Sequence, residues 1–110
     1  MVIDMAKVPD KADSDLAERL QIIRIYSGSP NQTAFAARYG FELKSWNNYE
    51  RGFSLPSWAA IQLVQKFPGL TLDWIYLGKE DGLPGRLRAE LEAAGESLTT
   101  SAGGTARKRG

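Results

Sequence analysis

Apolar residues recur along the chain at intervals of three and four, and this spacing predicts helices. Leu16, Leu20, Ile23 and Tyr26 mark a first helix, capped by Ser14 or Asp15, with Glu18 placed as in a capping box. Gly28 and Pro30 end it, and Asn31 caps a second helix from about Gln32 to Tyr39. That short helix sets Phe35, Ala36 and Tyr39 on one side and closes at Gly40. A third runs from about Leu43 to Arg51, with Trp46 and Tyr49 turned inward. Pro56 and Ser57 open a fourth, whose Trp58, Ile61, Val64 and Phe67 are expected to face the core before Pro68 and Gly69 stop it. Thr71 caps a fifth, LDWIYLG, which Gly78 ends. No stretch alternates with period two and no hairpin turn is evident, so the expected fold class is all-α.

The texture changes from Lys79. RLRAELEAA, residues 86–94, predicts a short helix with Leu87, Leu91 and Ala94 on one face. Arg86–Glu90 and Arg88–Glu92 stand as i,i+4 ion pairs along it. From Ser97 onward eight of fourteen residues are Gly, Ser or Thr, and the segment ends in ARKRG. Such a composition buries too little apolar surface to offset its ordering entropy, so a disordered tail is expected. The organisation predicted is a polar leader over 1–13, a helical domain over 14–79, a short extension over 80–95 and a tail over 96–110.

Composition narrows the chemistry. A chain of 110 residues holds one small domain. Without cysteine there is no disulfide framework and no thiolate metal site. Without histidine there is no Ser-His-Asp triad and no His-bearing zinc site. Gly78-Lys79 is not a P-loop, because Asp73 stands where the first glycine is needed and Glu80 follows the lysine. Adjacent Glu80 and Asp81 read as solvated loop carboxylates. No catalytic set, cofactor, metal or small-molecule ligand is expected, and the chain is not read as an enzyme. Charge adds little: fourteen Lys+Arg against thirteen Asp+Glu leave a formal +1, short of a strongly basic footprint. The opening MVIDMAKVPDKADSD lacks a signal peptide's apolar centre, and no apolar run approaches the ~20 residues of a membrane span. A cytoplasmic protein is expected.

The segment QTAFAARYGFELKSWNNYERG has the form of a helix-turn-helix. Ala36 is small where the second helix crosses the first, and Gly40 sits at the turn, where glycine enters positive φ most readily. At 100° per residue, Lys44, Asn47, Asn48 and Arg51 fall opposite Trp46 and Tyr49. A nine-residue helix is ~13 Å long and fits a DNA major groove ~12 Å wide, where Lys and Asn read base edges. Lys44 and Arg51 also read as ordinary solvated charges, and Asn47 and Asn48 as surface amides. Leu43 stands three residues before Trp46, so it either joins the core or meets a thymine methyl. Trp46, Trp58, Phe67 and Trp74 read first as core.

The ordered set RLQIIR, NQ, Ala36, Gly40, NNYERG, Pro56 and LDWIYLG resembles the Cro/C1-type, or XRE, helix-turn-helix family of lambdoid phage repressors over about residues 16–79. The resemblance implies a five-helix lambda-repressor-like domain that places its third helix in the major groove. It implies that Asn31 holds a phosphate, that Gln32 contacts a phosphate or an adenine edge, and that Glu42, Leu43 and Lys44 lead the recognition helix, with Asn47 and Asn48 one turn on. Glu50 is then structural, tying the third helix to backbone or to an arginine of the first. Glu42 stands where the family usually carries Ser or Thr, and Trp46 where it carries Ile or Val.

The expected function is a sequence-specific DNA-binding transcriptional regulator, a repressor, with Arg38, Lys44 and Arg51 on phosphates. The rival reading is a protein-interaction module or antitoxin using the same helices on a protein partner. A homodimer is expected on a pseudo-palindromic site of double-stranded DNA, joined through Trp74, Tyr76 and Leu77, with Leu72 and Ile75 inward and Leu83, Leu87 and Leu91 extending the apolar surface. Only residues 79–110 follow Gly78, too few for a self-cleaving domain, so control by synthesis, turnover or a partner is expected.

Overall fold

Short-range signals place most of the helix ends. The computed structural model describes residues 11–102, with side chains described over 14–98. Among them are six helices and no strand: α1 Lys11–Tyr26, α2 Gln32–Tyr39, α3 Leu43–Glu50, α4 Ser57–Lys66, α5 Leu72–Leu77 and α6 Gly85–Ala102. Asn31 caps α2, its Oδ1 accepting from the Ala34 N–H at 2.9 Å. Thr71 caps α5 in the same way, its Oγ1 accepting from the Trp74 N–H at 3.0 Å. Arg19 of α1 donates through Nε to the Ile75 carbonyl and through Nη2 to that of Tyr76, satisfying oxygens that the end of α5 leaves free.

Two boundaries differ from expectation. The first helix is already formed at Lys11, so Ser14 and Asp15 lie inside α1 rather than capping it. The last helix runs to Ala102, past the point where composition predicts a tail. Its support is tertiary: Leu83, Leu87, Leu91 and Ala94 are buried, and α6 packs along α1. The rest of the leader and of the tail lies outside the described residues.

The core is built around Phe35. Its ring centroid lies 4.7 Å from Tyr39 and 4.6 Å from Trp46, and stacks on Phe41 and Phe67 at 6.2 and 6.4 Å. Leu20 and Ile23 of α1, Leu63 of α4 and Ile75 of α5 close around this cluster. The inward face of α4 is only in part the expected one: Phe67 is buried and Val64 packs against the core as expected, but Trp58 and Ile61 turn out. Ala59, Ala60, Leu63 and Phe67 are buried, whereas Trp58 is 54% exposed and Ile61 44%. The aromatic cluster already fills the centre, and two adjacent alanines let the α4 backbone come close where a tryptophan has no room.

Leu72 and Trp74 likewise exchange roles. Leu72 is 41% exposed, while Trp74 is buried and shares a cavity of ≈ 260 Å³ with Ile22, Leu83 and Leu91. Leu83, Leu87 and Leu91 therefore extend no exposed surface. No described helix is long and apolar enough to cross a membrane.

Candidate nucleic-acid interface

α2 and α3 are held at a fixed angle by the turn between them. Gly40 ends α2 at φ 83°, and its N–H donates to the Ala36 carbonyl at 3.0 Å. The turn is pinned from outside by Gln62 of α4, whose Nε2 donates to the carbonyls of Tyr39 (2.8 Å) and Gly40 (3.2 Å). The positive φ favours glycine here, and a Cβ would stand 2.9 Å from that Nε2 and push the glutamine's end off the turn. The start of α3 is less tightly held. Glu42 occupies the N-cap position with no side-chain bond to the backbone; it accepts instead from the Ser45 hydroxyl at 3.0 Å.

The base of the unit is a buried carboxylate. Glu50 closes α3 with its side chain 3% exposed. Arg24 of α1 grips it with two bonds, Nε to Oε2 at 2.8 Å and Nη2 to Oε1 at 3.1 Å. Gln32 of α2 donates to Oε1 at 2.9 Å, and the Trp46 indole donates to Oε2. Gln21 adds a bond to the Glu50 carbonyl at 3.1 Å. One carboxylate thus joins three helices, and its arginine is the partner on the first helix that the family resemblance implies.

Outside this base lies an open groove of ≈ 590 Å³ between the N-terminal ends of α2 and α3. Asn31, Gln32, Leu43, Lys44 and Asn47 all line it, so five of the nine expected contact residues converge. Lys44 and Asn31 are exposed, Leu43 is 44% exposed rather than in the core, and Asn47 donates through Nδ2 to Gln32 Oε1 at 2.9 Å. The other four stand apart. Arg38 is exposed over the Tyr39 ring at 5.3 Å, Arg51 is exposed over Phe53 at 5.2 Å, Glu42 is exposed, and Asn48, on α3 itself, is half-buried outside the groove lining.

Sequence reasoning missed Thr33 and Arg24 as groove-lining residues. Thr33 follows Asn31 and Gln32 at a helix start, where free backbone amides make any hydroxyl worth noting. Arg24 is expected only as a partner of Glu50, a role open to either arginine of the first helix, and its place in the groove depends on that pairing across 26 residues. Of the three residues expected at a dimer contact, Tyr76 is 36% and Leu77 63% exposed, while Trp74 is buried. The Tyr76 hydroxyl donates to the Leu55 carbonyl at 3.0 Å, which holds α5 beside the start of α4.

No family model, curated protein or solved structure matches the chain.

Proposed function

We propose that this chain is a sequence-specific DNA-binding transcriptional regulator, a repressor of the Cro/C1 type. Its fold is then a lambda-repressor-like five-helix domain, α1 to α5, extended by α6. The observation that carries the reading is the groove between α2 and α3. Amides from Asn31, Gln32 and Asn47 and the Lys44 ammonium meet there across two helices. The eight residues of α3 span ~12 Å, a length that a B-DNA major groove accepts. Lys44 and Asn48 lie within about 40° of each other on α3, so they would face the same base edges. Arg38 at the end of α2 and Arg51 just after α3 are exposed and suit phosphate. Sequence specificity then requires two copies, with recognition helices ~34 Å apart on the duplex.

Exposed Phe53, Trp58 and Ile61 favour a second reading, a module that docks on a protein. Mobility shift with genomic fragments, repeated across a salt series, separates the two. The expected result is retardation whose log K falls with log[salt] at a slope of roughly −0.9 per neutralised phosphate. Failure to retard any duplex, or a salt-independent affinity, would overturn the DNA reading.

A further inference from the structure

The amides of Gln32 and Asn47 sit in a one-way chain of hydrogen bonds that begins at Glu50. A carboxylate ion-paired with Arg24 only accepts. The four hydrogen bonds to its side chain all come from donors: two from Arg24, one from Gln32 and one from Trp46. Gln32 must therefore present Nε2 to Glu50, which turns its Oε1 away from the carboxylate. That oxygen accepts, so Asn47 must present Nδ2 to it, as it does at 2.9 Å. The orientation of both amides follows from the charge of a buried residue.

This leaves Asn47 with a defined face. One of its N–H groups is spent on Gln32, while Oδ1 and the second N–H remain unengaged among the described residues, on a side chain that lines the groove. The residual pattern is one acceptor beside one donor. In the major groove only adenine presents the complement, an N6 donor beside an N7 acceptor. Guanine offers two acceptors, cytosine a donor and thymine an acceptor with a methyl.

We infer that Asn47 is an adenine-reading side chain and that Gln32 is a positioning residue which fixes its amide through Glu50, rather than a base contact in its own right. The inference rests on the DNA-binding reading above. Lys44, by contrast, is held by no such chain and is free to follow phosphate or guanine.

The test is selection from a pool of randomised duplexes by the full chain and two variants. The wild-type chain should enrich adenine at one position of each half-site by roughly 5- to 150-fold, the range for a bidentate amide–adenine pair. Asn47→Asp, which has two acceptors and no donor, should exchange adenine for cytosine at that position. Gln32→Met should flatten the adenine preference and lower operator affinity by that position's share alone, leaving the preferences at the other positions and the salt slope unchanged. A purely structural role for Gln32 would instead weaken all positions together. Retained adenine preference in Gln32→Met, or no adenine preference in a wild-type chain that binds duplex, would overturn the inference while leaving the DNA reading in place. Absence of binding to every duplex would overturn both. In the free protein, slow exchange of the Gln32 side-chain amide protons is expected, and Gln32→Met should sharpen motion at the Asn47 amide. An Asn47 amide already unrestrained in the wild-type chain would also count against the inference.

Discussion

Glu50 accepts from Arg24, Gln32 and Trp46 at once, which makes its removal costly in a particular way. Arg24, with its side chain only 19% exposed, would keep its charge and lose its partner. Breaking one side of a buried pair typically costs 3–5 kcal/mol. Glu50→Ala is therefore expected to lower the unfolding free energy by about 3–5 kcal/mol in urea denaturation. Arg24→Ala should cost at least as much, because it leaves the more deeply buried charge, the Glu50 carboxylate at 3% exposure, without its countercharge. Two tyrosines set an alkaline limit. Burial raises the Tyr26 hydroxyl above its ordinary 10.0, with the nearby Glu90 carboxylate adding to the effect, and burial alone raises Tyr76. The folded chain thus holds these protons more tightly than the unfolded one. Their contribution is complete below about pH 10 and is lost as pH climbs through the raised folded values. Tyr26→Phe is expected to show a smaller fall in urea midpoint than the wild-type chain between about pH 9 and about pH 11.

Helices differ in how far they can be read from their own residues. The bounds of α2 are visible because Asn31 and Gly40 act within a few positions, and Thr71 and Gly78 mark α5 in the same way. The convergence of Asn31, Gln32, Lys44 and Asn47 also follows from local spacing plus one glycine turn. What escaped was set at a distance. The segment WAAIQLV offers two apolar stripes, and the choice of the alanine stripe depends on a cluster already filled by Phe35, Trp46 and Phe67. The extent of α6 depends on α1, which no window of residues 86–102 contains. Because Leu87 and Leu91 are 5% and 3% exposed, they belong to the core rather than to an appendage. Leu87→Ala is expected to cost about 2–5 kcal/mol, read from thermal or urea unfolding, and to lower a single cooperative transition. A separate early transition for α6 would contradict that placement.

At the scale of the molecule, the proposed assembly now has a smaller face than the sequence suggested, since Trp74, Leu83, Leu87 and Leu91 are spent inside. Leu72, Tyr76 and Leu77 remain on the outside of α5. A patch of that size supports a weak association, which DNA would strengthen by holding two copies together. Sedimentation is expected to show a monomer shifting to a dimer with added operator. Leu77→Asp should lower operator affinity at least ~10-fold while leaving the unfolding midpoint nearly unchanged, as suits an exposed position. One-to-one binding with an asymmetric footprint would count against the dimer.

The packing of α6 along α1 also has a consequence in time. During synthesis α1 emerges first, and its apolar side chains meet α5 only after the intervening turns have been made. The stretch from Gly78 to Ala94 must then be added before Leu83, Leu87 and Leu91 can cover it. At ~5–20 residues per second that interval is on the order of a second or a few. Throughout it, a nascent chain carries the proposed recognition surface already complete in sequence on a domain that is not yet closed. The last helix therefore decides when a newly made molecule becomes durable, and a ribosome stalled before Leu91 would hold a chain that proteases and chaperones treat as unfinished.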